Sequence, residues 1–400
     1  MANTLLTPDQ ITKETLLRLK NNLALTNNVT KEYSDKFAKT GAKIGNKIDI
    51  RKPNRYNVSD GATLVEQDTT EEVVSLELDQ RKHVGMNFTM QDLTLDIDRF
   101  AERYIDPAVE VLANQIDLSI AQEYMNVSQA VGTPGTVMAN LTDALAAKRK
   151  LAEAGAPVGS SLSMAIDAEA EASIIHGLSG LFQSSNQIKE QYEKGVMGMA
   201  GGFKWMMDQN IQVHTVGAYA GIPLVNGAAQ SGATLTTDGW TSGASALKKG
   251  DVFTIAGVFS VNPLSKAANK QLKEFVVTAD ISDTSGGKVL AISPSIVVSG
   301  SKQNVSAAPA DNAAITVKGS ADTSYSQHLA FHKNAFALGC ADLELPGGVD
   351  MAARAVDKQT GLSIRIVKDY RIGSDDMPCR LDVLYGVETI YPELACRIFN

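Results

Sequence analysis

Hydrophobic positions along the chain change period several times, and each change predicts a different element. Ile11, Thr15, Leu19 and Leu23 recur at helical spacing after Thr7-Pro8-Asp9, where a proline near the first turn suits a helix start. The first forty-five residues therefore read as a helical arm. The period then drops to two. Ile48 and Ile50 alternate with Lys47, Asp49 and Arg51, and Tyr56 and Val58 continue the pattern beyond Pro53. After a Ser59-Asp60-Gly61 turn cluster, Val74, Leu76 and Leu78 alternate with Ser75, Glu77 and Asp79, and Val84, Met86, Phe88 and Met90 extend the parity. This predicts an antiparallel hairpin with arms of roughly fourteen residues, about 45 Å long at 3.3 Å per residue. An isolated two-stranded ribbon is only marginally stable in water. Another part of the chain, or another subunit, must cover its apolar stripe.

Helical spacing returns after residue 93. Leu95–Tyr104 has a helical pattern, and Asp106-Pro107 opens a stronger one in which Val109, Leu112, Ile116 and Ile120 share a face. Residues 107–127 would span about 30 Å as a helix, with Pro107 either starting it or kinking a longer one. Helices are also expected over Ala139–Ala154 and Ala168–Leu178. Residues 183–210 hold Gly195, Gly198, Gly201 and Gly202 without phosphate-loop spacing, and read as a loop. From Asn226 to Tyr325 helical periodicity gives way to short β-prone runs: Val252–Val258, Phe275–Ala279, Val289–Ile292, Ser295–Val298 and Ile315–Val317. Turn clusters separate them, which predicts a small barrel or sandwich inserted into a host domain. Ser326–Ala337 reads as a helix. Leu362, Ile364 and Ile366, then Leu381, Val383, Tyr385 and Val387, form a last hairpin around Gly373–Pro378.

Composition narrows the class. At 400 residues the chain exceeds one ordinary core, and 44% hydrophobic residues exclude wholesale disorder. With 37 basic and 45 acidic residues the net charge is −8, which argues against a dedicated nucleic-acid binder. Charge is uneven, however. Residues 1–50 carry eight Lys or Arg against five Asp or Glu, whereas no Lys or Arg falls between Tyr56 and Gln80. The acidic stretch, with Glu66, Asp68, Glu71, Glu72 and Glu77, is either solvated surface or a docking edge for a basic neighbour such as the N-terminal arm. Met1–Lys20 lacks the uninterrupted apolar stretch of a signal peptide, and no run reaches the length of a membrane-spanning helix. Three cysteines, Cys340, Cys379 and Cys396, suit a reducing compartment.

Candidate chemistry is sparse. His328 and His332 would share a helix face but lack the glutamate of a His-Glu-x-x-His site and a third ligand. There is no Cys-x-x-Cys pair and no Gly-x-Ser-x-Gly elbow. No enzyme and no cofactor is expected.

Several segments nevertheless carry a family likeness. They include Asp60-Gly61-Ala62-Thr63, Lys82-His83-Val84, Leu93-Thr94-Leu95-Asp96-Ile97-Asp98 and Leu247-Lys248-Lys249-Gly250-Asp251. Ala330–Ala337, Leu343–Pro346, Pro378–Val387 and Tyr391–Ile398 carry it further at the C-terminus. In these, and in its order of elements, the chain resembles the phage P22 type of major coat protein. The resemblance implies an α+β fold of the HK97 capsid type: an N-terminal arm (1–45), an extended loop (46–92), and a peripheral domain with a spine helix and the first part of an axial domain (93–225). An inserted β-barrel-like domain (226–325) and the rest of the axial and peripheral domains (326–400) would complete it. It further implies self-assembly into hexamers and pentamers of an icosahedral head, with a scaffolding protein, a portal protein and weakly held double-stranded DNA as partners and no membrane. The product would be a virion built in the bacterial cytoplasm, its shell expanding as DNA is packaged. An encapsulin-like compartment of the same fold is the alternative. On this reading Glu66, Asp68, Glu71, Glu72 and Glu77 are subunit-contact candidates, and Lys13, Arg18, Lys20 and Lys31 face scaffold or DNA.

Overall fold

The computed structural model describes residues 8–21, 23–34, 45–56, 58, 61–62, 64, 66–67, 71–89, 105–157, 162–178, 198–243, 247–281, 286–357 and 361–400. They divide into two compact units. One comprises 1–51, 73–120 and 336–390, the other 52–72, 121–335 and 391–400.

The first unit is built on a six-stranded sheet. Its strands run in the order β1 (Thr30–Ser34), β17 (Phe336–Ala341), β20 (Asp376–Thr389), β19 (Leu362–Lys368) and β18 (Met351–Asp357), with β4 (Gln80–Thr89) also pairing β20. The predicted C-terminal hairpin is present, with Arg365 opposite Asp382 and Ile366 opposite Leu381. Helix α1 (Pro8–Asn21) packs on β18 and β19 and buries Leu16 and Leu19. Helix α2 (Asp106–Gln122) starts as expected and buries Val109, Leu112, Ile116 and Ile120, while Val111 faces solvent.

Two expectations fail here. The arm is not helical throughout: beyond Asn21 come a 3-10 turn at Thr26–Asn28 and then β1, which pairs in parallel with β17. The extended hairpin is also shorter than its periodicity implies. Among the described residues, its paired part is β2 (Lys47–Lys52) with β3 (Glu72–Glu77). They run antiparallel, since Lys47 meets Glu77 and Asp49 meets Ser75. The parity continues through Met86 because β4 is also a strand, but β4 lies along β20, with Gln80 opposite Tyr385. The 95–104 helix lies outside the described residues.

The second unit holds a seven-stranded sheet and a barrel. The sheet runs β5 (Ala130–Val131), β21 (Ala395–Phe399), β16 (Ser324–His332), β6 (Leu162–Ile166), β8 (Phe203–Met207) and β7 (Met199–Ala200), with β9 (Gln212–Thr215) also on β16. Helices α3 (Thr142–Glu153) and α4 (Ala168–Leu178) agree with the sequence reading. Leu151, Ile174, Met164, Phe203 and Ile398 form the core between helices and sheet.

The expected helix at Ser326–Ala337 is instead β16, a turn and β17. Its stretch 327–332 is buried on both faces, so no alternation marks it as a strand. Part of the glycine-rich stretch is likewise a hairpin. Gly201 (φ 62°) and Gly202 (φ 87°) make the left-handed two-residue turn between β7 and β8. Residues 179–197 lie outside the described residues.

The barrel follows the order β10 (Gly221–Val225), β11 (Gly232–Trp240), β14 (Lys288–Ile296), β13 (Ala268–Val277), β12 (Val252–Val261) and β15 (Ile315–Val317). A bridge between Leu224 and Ala314 closes it. Leu235, Phe253, Phe275 and Leu290 fill the interior. The two runs expected at 289–298 are one strand, β14, and β11 has no counterpart among the predicted strands.

Candidate assembly surface

The segment between β2 and β3 carries a run of exposed apolar side chains. Tyr56, Val58, Leu64 and Val73 are 61%, 95%, 81% and 50% exposed. Singly exposed apolar residues are ordinary, but three between positions 56 and 64, with Val73 at the start of β3, leave apolar surface uncovered.

The return of this segment is fixed by a pair of glycines. Gly339 on β17 and Gly386 on β20 are directly opposite each other. A Cβ at Gly386 would lie 1.8 Å from the Glu77 carbonyl oxygen, and one at Gly339 would lie 2.3 Å from Leu76 Cδ2. The absent side chains leave a slot in which Leu76 and Leu78 are buried. Burying two leucines contributes about 3–6 kcal/mol before entropy is counted.

The sequence-nominated residues separate into distinct settings. Glu66 and Glu71 are exposed. Glu72 forms an ion pair with Lys302, which holds its carboxyl below the usual range chiefly through their hydrogen bond. Glu77 pairs with Lys47 and raises the lysine's pKa. Asp68 lies outside the described residues. On the arm, Lys13 is exposed, Arg18 pairs with Asp106 at the start of α2, and Lys31 Nζ donates to Asn27 Oδ1 at 3.2 Å. The side chain of Lys20 is outside the described set. The acidic candidates thus do not form one unneutralised face: Glu72 and Glu77 already have cationic partners within the chain.

Several buried polar centres escaped the sequence reading. Asp117 on α2 accepts hydrogen bonds from the backbone N–H of Ala24 (2.7 Å), Leu25 (3.3 Å) and Thr26 (2.9 Å) and from Thr26 Oγ1 (2.6 Å). Burial pushes its carboxyl up, against the pull of these donors. Elsewhere, His214 Nε2 lies 2.8 Å from Asp251 Oδ1 and its Nδ1 lies 3.0 Å from the Tyr124 hydroxyl. Asp251 Oδ2 accepts from the N–H of Gly217 and Lys248. Arg397, fully buried, donates to the Gly250 carbonyl at 2.8 Å and lies over the Tyr124 ring. These groups brace the barrel against the sheet of the same unit. Only the turn cluster Lys249-Gly250-Asp251 marks the site in the sequence. His328 is buried on β16, where burial lowers its pKa. Among the described residues no three His, Cys, Asp or Glu side chains are placed to hold a metal ion.

A comparison with curated proteins gives no match. Among solved structures, the chain is similar to one from Mycobacterium phage Che8 at 13% identity, over 95% of this chain and 90% of that one, with a TM-score of 0.45. It is similar to a chain of the bacteriophage PhiM1 mature capsid at 9% identity, over 94% and 86%, with a TM-score of 0.44. A capsid chain of an empty GTA particle is similar at 6% identity, over 94% and 89%, with a TM-score of 0.44. The family model described as "P22 coat protein - gene protein 5" matches residues 2–399. This polypeptide therefore belongs to the P22 coat protein family and is a phage major capsid protein of mixed α and β fold.

Proposed function

We propose that the chain is the repeating subunit of an icosahedral head and that it builds the shell by lending its 52–72 segment to a neighbour. The observation that carries this is the exposure of Tyr56, Val58 and Leu64 within that segment. A few hundred Å² of apolar burial per contact gives several kcal/mol gross at about 25 cal/mol per Å². Association entropy consumes much of it. One contact is then weak, while a closed shell of many is stable, which suits assembly into hexamers and pentamers.

Scaffold-assisted assembly, a portal vertex, expansion on DNA packaging and a virion location belong to the same proposal. The exposed Lys13, with Arg18, Lys20 and Lys31, would face scaffold or DNA, where local positive charge offsets a net charge of −8. Glu66, Asp68 and Glu71 are the acidic candidates for subunit contact. The encapsulin-like alternative is not favoured, because the matching family is one of phage coat proteins. Concentration-dependent sedimentation with negative-stain microscopy, with and without scaffold, tests the reading. Closed shells are expected. A chain that stays monomeric at every concentration, with its segment protected from protease, would overturn it.

A further inference from the structure

Both legs of the extended segment are tied, near their roots, to the body of the same unit, and the ties are ionic. On the outgoing leg, Arg55 Nη2 lies 2.7 Å from Glu393 Oε1, and Lys52 Nζ sits 5.1 Å from the centroid of the Tyr391 ring. On the returning leg, Glu72 pairs with Lys302, in the connection between β14 and β15. Glu393 belongs to a short 3-10 turn, Pro392–Leu394, whose carbonyl at Glu393 accepts from Gln129 Nε2 at 2.7 Å. The two legs therefore hold two separate, braced parts of the body.

The root lies beside a cavity of mixed lining. This cavity, of about 390 Å³, is lined by both legs and by charged groups of the body, among them Lys150, Lys273 and Glu274. Lys150 and Glu274 pair across it at 2.5 Å. Apolar side chains such as Pro53, Val261 and Leu272 also line it, but burial is non-directional, so the two ion pairs are the contacts that can aim the root. The four side chains of the two pairs remain 31–51% exposed, which makes each pair weak and open to screening by salt.

We propose that Arg55–Glu393 and Glu72–Lys302 act together as an intrachain clamp that sets the direction in which each subunit offers its extended segment. Glu72 is on this account a positioning residue within its own chain and not a docking residue for a neighbour. The role rests on the shell reading above. Its gain is preorganisation: a segment already aimed loses less freedom on binding.

Charge exchange tests it. Lys302→Glu and Glu72→Lys, each alone, should slow shell formation several-fold while circular dichroism stays unchanged. The double exchange in one chain should restore the rate. An equimolar mixture of the two single variants should not, because each chain still carries a like-charged pair. Restoration by the mixture would place the contact between chains and overturn the proposal. A second measurement needs no assembly. Carbodiimide treatment of the wild type should join the Glu72 carboxylate to the Lys302 amine within one chain, read by peptide mass spectrometry of the monomer band. A crosslink at this pair found only in multimers, or none, would overturn the clamp. If wild-type chains form no shells while the intrachain crosslink still forms, the shell reading fails and the pair stands. If wild-type shells form and all variants match their rate, the clamp alone fails.

Discussion

The carboxylate of Asp117 and the hydroxyl of Thr26 meet at 2.6 Å although ninety-one residues separate them in sequence. Both residues are buried, and the same carboxylate also takes the backbone N–H groups of residues 24–26. Asp117→Ala leaves those donors buried without an acceptor, at a cost of about 1–3 kcal/mol for each unsatisfied group. Asp117→Asn keeps an acceptor oxygen and costs less. Urea denaturation should order the variants wild type, Asn, Ala. Limited proteolysis should cleave the 8–28 segment of the Ala variant first.

Gly386 has no room for a side chain, and its obstacle is backbone. Gly386→Ala brings a Cβ against the Glu77 carbonyl, whereas Gly339→Ala meets side-chain ends, those of Leu76 and Leu78. Overpacking costs about 1–3 kcal/mol where neighbours can shift, so Gly386→Ala is the more damaging of the two. Soluble yield and urea midpoint should both fall further for Gly386→Ala.

Asp376 carries an acid-sensitive contribution. Hydrogen bonds from Ser374 and Arg371 and a third from Asn87 hold its carboxyl down at about 2. A carboxyl whose folded value lies below its unfolded value of 3.8 stabilises the protein above that value. The contribution is lost as pH falls through about 2. Asp376→Asn should therefore be less stable at neutral pH and lose less between pH 4 and pH 2, read as urea midpoints across that range.

Lys318 gives the same sense of pH dependence in the alkaline range, for a different reason. Burial depresses its ammonium to about 8, although it donates to the Ala130 carbonyl at 2.8 Å. Between about 8 and its ordinary 10.5 the unfolded chain binds more protons, so this group makes stability rise with pH over that interval. Lys318→Met should remove that rise, measured by thermal unfolding from pH 7.5 to 10.

Reversing Glu71, Glu72 and Glu77 together should impair assembly and leave the subunit folded. Two of the three positions have cationic partners in the same chain, Lys302 and Lys47. Lys47→Glu with Lys302→Glu in the triple variant should therefore recover most of the shells counted by negative-stain microscopy. Normal shells from the triple variant itself would remove the acidic stretch from assembly.

Elements with one wet face were legible from sequence. The Val109–Ile120 stripe, the helix at 168–178 and the Ile364–Ile366 alternation all follow from which side meets water. Elements buried on both faces were not. In β16, residues 327–332 are all buried, so no alternation of wet and dry positions distinguishes a strand from a helix there. β1, with Thr30, Lys31 and Glu32 in its run, is polar in sequence and becomes a strand because β17 offers it an edge. The hairpin was overextended because period two says that a stretch is a strand but not which strand it joins; β4 answers to β20. The ion pairs at Arg55 and Glu72 join residues more than two hundred positions apart, and no local pattern marks such pairings.

Strand order has a consequence for how the polypeptide is made. β4 finds its partner β20 nearly three hundred residues later, and β5 pairs with β21 at 395–399. A ribosome that has completed the barrel has therefore finished neither sheet, and β4 and β5 emerge long before their mates. Such distant pairing is slow and leaves strand edges open to wrong neighbours while it waits. A chain cut short of residue 376 lacks β20 and β21, the interior strands to which β4 and β5 pair.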